Sequence, residues 1–205
     1  MTVEEYNAKV WAFYLRLEKD FIESLNYVEF AEDNYSTYSI EFERLLLSIC
    51  SEVDVLCKLL CKEMNPSESP SKILEYAAIL CGYSGFSASE VRFERTKKTF
   101  IPFKDLTTND TPSWWKAYNK VKHERTSDDN YKKGNLENVF MALAGLYALN
   151  RLYCKKIATS TVFNEPTPKS QLFNMEGWRS STSLGNGFAL VAQTNGNMSL
   201  MCDNH

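Results

Sequence analysis

The stretch "NLENVFMALAGLYALNRLYCKKI", Asn135 to Ile157, is apolar on nearly every side of a helical projection. A helix of that kind leaves no face for water and must be enclosed by other elements. Its longest apolar run, Val139 to Leu149, is too short to span a bilayer, so the enclosing elements have to come from a protein fold. Lys155 and Lys156 close it, matching the negative end of the helix dipole.

The rest of the chain supplies candidates for that enclosure. Val3, Tyr6, Val10, Tyr14, Leu17, Phe21 and Leu25 recur in steps of three and four, which predicts an amphipathic helix over residues 3–24. Residues 40–63 repeat the pattern through Phe42, Leu45, Leu46, Ile49, Val53, Leu56 and Leu60, with Ser39 as the expected N-cap. Ser69-Pro70 and Thr111-Pro112 read as cap-plus-first-turn starts of two more helices, one ending near Cys81 and one near Glu124. Between them, Val91 to Phe103 alternates with period two around a charged middle, as in a short, exposed hairpin or an extended loop. After Ala158 the composition turns to Thr, Ser, Asn, Pro and Gly, and two apolar runs flank Asn195-Gly196, a strong hairpin signal. The expected architecture is mainly α: an antiparallel bundle of about five helices over residues 1–158, with minor β-hairpin additions. Residues 159–205 are expected to form a C-terminal extension holding a small β-hairpin.

With 205 residues and 44% hydrophobic side chains, the chain is long and apolar enough for one core. A net charge of −3 argues against a generic nucleic-acid coat and leaves room for a local basic patch. The N-terminus is acidic where a signal peptide is basic, so a cytoplasmic location away from membranes is expected. The six cysteines form no CxxC pair and fall mostly in apolar helical runs, as reduced core cysteines do. There is no GxxxxGK[ST] or GxGxxG loop, and a single internal histidine is too few for the usual histidine metal sites. No metal or cofactor is expected.

That histidine lies in "WWKAYNKVKHER", Trp114 to Arg125. At 100° per residue, Trp114, Ala117, Tyr118 and Val121 share a core side. Lys116, Asn119 and His123 share the opposite side, with Trp115 and Lys122 flanking. An imidazole can give or take a proton at neutral pH, and Asn119 one turn away can orient that of His123 or bond a substrate oxygen. Lys116, Lys120, Lys122 and Arg125 suit phosphates, and Trp115 a stacked base. Arg44, Glu52, Asp54 and Lys58 form a second polar cluster on the preceding long helix. Either this cluster is a solvated face, or Glu52 or Asp54 faces His123 and fixes its tautomer.

The run "YNKVKHER", followed by a loop and "NLENVFMALAGLYALNRLY", resembles the HEPN superfamily (higher eukaryotes and prokaryotes nucleotide-binding). Its motif is an arginine, a polar residue, three variable positions and a histidine just before the last long helix. Asn119 and His123 match the second half, while the arginine slot holds Tyr118. The resemblance implies an α-bundle that associates with RNA or a nucleotide. It also implies a homodimer, a bacterial defence or toxin–antitoxin setting, and a protein partner such as an antitoxin. Active members are metal-independent endoribonucleases in which the histidine moves a proton and the arginine stabilises phosphate charge. Three readings stay open: such a ribonuclease using His123 and Asn119, a non-catalytic binding relative, and a non-enzymatic protein-interaction scaffold.

Overall fold

The computed structural model describes residues 1–82, 85–157, 166–175, 179–183, 188–193 and 198–202, with the backbone alone for the last three ranges. The chain is mainly helical with short antiparallel strands, as its periodicities predict. The first helical rod comprises α1 (Val3–Tyr6), a π turn (Asn7–Trp11) and α2 (Ala12–Ser24). Thr2 and Glu5 cap it reciprocally, each side chain accepting the other's backbone N–H at 3.2 and 3.1 Å. The wider π turn allows consecutive Val10 and Trp11 both to be buried.

The next helix, α3 (Ile40–Met64), starts where expected, with Ser39 Oγ accepting the Phe42 N–H at 3.0 Å. α4 (Ile73–Leu80) begins later than Pro70. The Glu75 carboxylate accepts the N–H groups of Ser71 and Lys72, at 2.7 and 3.2 Å, and fixes the start there. In α5 (Ser113–Glu124), Pro112 rather than Thr111 holds the cap position. α6 (Leu136–Ile157) is the enclosed helix, with fourteen buried residues from Leu136 to Cys154.

Contacts between the helix ends fix the direction of each rod. Tyr38 bridges Asn135, and the Leu136 N–H donates to Thr37 O at 2.9 Å, so α3 and α6 start side by side. Asp20 near the end of α2 meets Arg44 near the start of α3 at 3.0 Å, while Tyr6 in α1 donates to Asn150 Oδ1 late in α6 at 3.1 Å. The first rod therefore runs against both. α5 also ends where α3 and α6 begin, because Asn130 Nδ2 donates to Glu124 O at 3.0 Å and Arg125 lies 4.0 Å from Glu43. Consecutive long helices thus alternate in direction, and α3 and α6 share one.

Phe140 of α6 is the meeting point of helices and sheet. Its ring lies 4.4 Å from Phe30, 4.8 Å from Phe100, 5.1 Å from Phe93, 5.3 Å from Phe173 and 6.1 Å from Phe21, between centroids. Three of those partners belong to a sheet of order β2-β1-β3, made of β1 (Val91–Phe93), β2 (Thr99–Phe100) and β3 (Phe173–Asn174). Of the hairpin and the extended loop that the alternation between Val91 and Phe103 allows, β1 and β2 form the hairpin, with Val91 and Phe93 buried rather than exposed. A second antiparallel sheet contains β4 (Arg179–Ser183), β5 (Phe188–Gln193) and β6 (Met198–Cys202). The expected Asn195-Gly196 turn lies outside the described residues.

Residues 166–175 join the bundle through a buried carboxylate. Glu18, 2% exposed, accepts from Tyr14 OH at 2.8 Å, the Gln171 N–H at 3.0 Å, the Leu172 N–H at 3.2 Å and Ser170 Oγ. Trp11 Nε1 donates to Pro168 O at 2.8 Å, and β3 pairs with β1. Residues 166–175 of the expected C-terminal extension thus contact the first rod and the small sheet. Cys50, Cys57, Cys61, Cys81 and Cys154 are free thiols. Burial raises the thiols of Cys50 and Cys57, and pushes those of Cys61 and Cys154 up to about 11, which keeps them protonated and poorly nucleophilic at neutral pH. Among the described residues, no helix is long and apolar enough to cross a membrane. Glu18→Ala strips a shared acceptor from four donors and should cost about 3 kcal/mol of stability. A urea titration would show this as a lower midpoint, and an unchanged midpoint would contradict the carboxylate's anchoring role.

Candidate functional site

α5 is placed by its first turn. Trp114 donates from Nε1 to Pro102 O at 2.8 Å, and its ring packs edge-on to Phe103 at 5.6 Å. Gly145 of α6 lies under both rings: a Cβ there would meet Trp114 Cζ2 at 3.2 Å and Phe103 Cζ at 3.3 Å. A larger residue would push α5 away from α6. The far end of α5 is held by the connection to α6. Asn130 is buried and bonded to Glu124 O. Gly134 is pressed so closely on α3 that a Cβ would meet Glu43 Cα at 2.7 Å.

The helical projection divides α5 as expected on its core side. Trp114, Ala117, Tyr118 and Val121 are all buried. Lys116, Asn119, Lys120, Lys122, His123 and Arg125 are exposed. Trp115 departs from its expected role. It is 6% exposed, with its ring 5.9 Å from Trp114 and 5.0 Å from Tyr118, so it does not stand free to stack a base. α5 packs against both α3 and α6, and its buried arc is therefore wider than one stripe.

The cations of the stripe differ in their engagement. Lys116 pairs with Asp110 at 2.6 Å, which holds that carboxyl below the usual range. Lys120 pairs with Glu124 at 2.5 Å, which raises the ammonium, and Arg125 reaches Glu43 at 4.0 Å. Lys122 lies 5.4 Å from the centre of the Tyr118 ring without an acidic partner among the described residues. His123 has no hydrogen bond or ion pair among the described residues. Both sit in the last turn, where the helix dipole favours positive charge.

The cluster on α3 does not converge on the imidazole. Asp54 accepts from Tyr76 OH of α4 at 2.7 Å and from Lys58 at 2.6 Å. Arg44 is taken by Asp20 and Glu41 on the side of the first rod. Glu52 is half-buried, its carboxyl raised by desolvation, and it has no bonded partner among the described residues. The Asp54–Lys58 pair is thus part of the packing between α3 and α4, and neither carboxylate bonds to His123.

The structure adds residues that the motif did not indicate. Tyr38, before α3, and Tyr131, in the connection before α6, form an edge-to-face pair with centroids 5.5 Å apart. Lys132 lies 6.0 Å and 5.7 Å from the two ring centres while pairing with Asp129 at 2.6 Å. Tyr38 is 45% exposed and Ile40 beside it 85%. Lys133 is exposed and without an acidic partner among the described residues. These groups share the end of the bundle on which α5 terminates. Between Lys116 and Gly134 the chain carries Lys116, Lys120, Lys122, Arg125, Lys132 and Lys133 against Glu124, Asp128 and Asp129, a local excess of positive charge in an acidic protein.

Compared with protein-family models, curated proteins and solved structures, the chain matches none. The site is therefore interpreted on its own geometry. His123→Ala should change stability by no more than about 0.5 kcal/mol, since the imidazole is exposed and has no partner among the described residues. Tyr118→Ala should cost about 3 kcal/mol, because the ring fills the core side of α5. Thermal or urea unfolding of both variants checks the contrast; a large loss from His123→Ala would reveal a structural role for the imidazole.

Proposed function

We propose that this protein is a non-catalytic, HEPN-like nucleic-acid-binding module, using the end of the bundle where α5 terminates. The observation that carries this reading is the grouping of Lys122, His123 and Lys133, free of acidic partners among the described residues, with the Tyr38–Tyr131 pair, in which Tyr38 is exposed and Tyr131 half-buried. Cations attract a phosphate backbone, and aromatic faces accept unpaired bases. Support for binding without turnover comes from the imidazole's surroundings. Tyr118 occupies the motif's arginine slot and is buried, and among the described residues no carboxylate bonds to His123 to set its tautomer. The homodimer, the antitoxin partner and the defence setting implied by the resemblance belong to the same proposal.

A protein-interaction scaffold is the second reading. It is favoured by the 85% exposure of Ile40 beside Tyr38, and by the internal acidic partners of Lys116, Lys120 and Arg125.

Fluorescence anisotropy with a labelled single-stranded RNA separates the readings. The wild type should bind at about 50 mM salt, weaken steeply toward about 200 mM, and leave the RNA intact. Lys122→Ala and Lys133→Ala should each reduce the slope of log K against log salt by about 0.7. Absence of binding at low salt would favour the scaffold. Cleavage abolished by His123→Ala would restore the ribonuclease.

A further inference from the structure

In the connection from α5 to α6, one cation lies over two aromatic faces at once. The Lys132 ammonium is 5.7 Å from the centre of the Tyr131 ring and 6.0 Å from that of Tyr38. The same ammonium is bonded to the Asp129 carboxylate at 2.6 Å, three residues earlier. That bond holds the ammonium above its usual range. One face of each ring is therefore covered by a cation that brings its own counter-ion.

The backbone imposes this arrangement. Asp128 and Asp129 both have positive φ, 50° and 56°, in the left-handed region that few residue types enter at low cost. Their neighbours hold them there. Asn130 is buried; its Nδ2 donates to Glu124 O at 3.0 Å and its N–H to Ser127 O at 2.9 Å. On the other side, the Gly134 N–H donates to Tyr131 O at 3.1 Å, and that glycine is pressed on α3. The 3-10 turn Asn130–Lys133 between these anchors sets Asp129 against Lys132, whose N–H also donates to Asp129 O at 2.9 Å. Asp128 has no bonded partner among the described residues and acts on Lys120 only through space.

We propose that the Asp129–Lys132 pair is an autoinhibitory cover on the Tyr38 and Tyr131 faces, displaced by single-stranded nucleic acid. The inference rests on the nucleic-acid reading of this end of the bundle and names how that site is regulated. On binding, an unpaired base takes the place of the ammonium on the rings, and the ammonium exchanges the carboxylate for a phosphate of the same strand. Both side chains of the pair reach solvent, and ion pairs at such positions are weak and screened by salt, so the cover opens readily. The carboxylate thus competes with phosphate for one cation, while the cation competes with a base for two rings. A duplex keeps its bases stacked inside, gains nothing from uncovered rings and leaves the pair closed. Lys122 and Lys133, without acidic partners among the described residues, are the cations that any strand meets first. The cover therefore adds a preference for unpaired strands to a general attraction for phosphate.

Fluorescence anisotropy with a labelled single-stranded oligoadenylate, repeated over a salt series, is the test. Asp129→Asn removes the charge and keeps a residue that tolerates the left-handed backbone. It should tighten binding about fivefold at low salt, with the gain shrinking as added salt screens the pair in the wild type. Asp129→Gly accepts the same backbone and should give the same gain, so the result does not hang on one variant. Asp128→Asn makes the same change of net charge one residue away, and should tighten binding by less than about twofold. In a Tyr38→Ala background, and with a duplex of matched length, the gain from Asp129→Asn should also fall below about twofold. Wild-type binding that Asp129→Asn leaves unchanged would overturn the inference and leave the nucleic-acid reading standing. So would an equal gain from Asp128→Asn, or an equal gain on the duplex. Absence of binding by the wild type and by both Asp129 variants would remove that reading, and the inference with it.

Discussion

Enclosure of α6 is the constraint on which the structure depends. Fourteen of its residues are buried, and each neighbour is positioned by what it covers. Phe140 collects the rings of the first rod, the Phe30 segment and the small sheet around one point. Gly145, farther along, leaves just enough room for Trp114 and Phe103, and so sets how closely α5 approaches. Asn150 is the polar exception inside. It is satisfied by donating to Leu146 O at 3.0 Å and accepting from Tyr6 OH at 3.1 Å, which also ties the first rod to the late turns of α6. Repeated aromatic contacts of this kind are each modest in energy, and their specificity lies in mutual geometry.

From that packing follows the character of α5. A helix wedged against both α3 and α6 gives a broad arc to the core, and what remains outside is narrow and polar. The exposed stripe ends at Lys122, His123 and Arg125, where the connection to α6 brings Tyr131, Lys132 and Lys133 beside Tyr38. The result is a cationic and aromatic end on an acidic molecule. Among the described residues the His123 imidazole has no bonded acid or cation.

Much of this architecture was legible from periodicity. Steps of three and four mark the first rod and α3, the all-round apolar run marks α6, the Ser39 cap is a local signal, and the alternation from Val91 to Phe103 marks β1 and β2. The same wheel separated Tyr118 from His123. What it could not supply were contacts distant in sequence. Trp115 was misplaced because a projection assumes one buried stripe, whereas α5 has two helical neighbours. Asp54 belongs with Tyr76, a partnership that required the turn into α4. Tyr38 and Tyr131 come together only because the segments preceding α3 and α6 pair through Tyr38 and Asn135. Residues 166–175 read as polar tail in composition, yet Glu18 recruits them through backbone N–H groups, which composition does not reveal.

The central claim is that a ligand meets the end of the bundle where α5 terminates and is bound without being cut. An amide-resolved NMR titration with a short single-stranded RNA tests it most directly. Shifts should concentrate on Lys122, His123, Tyr131, Lys132, Lys133 and Tyr38, leave the α4 amides unchanged, and coincide with an intact oligonucleotide at the end of the titration. Shifts centred on another face of the bundle, or progressive loss of the RNA during the measurement, would contradict it.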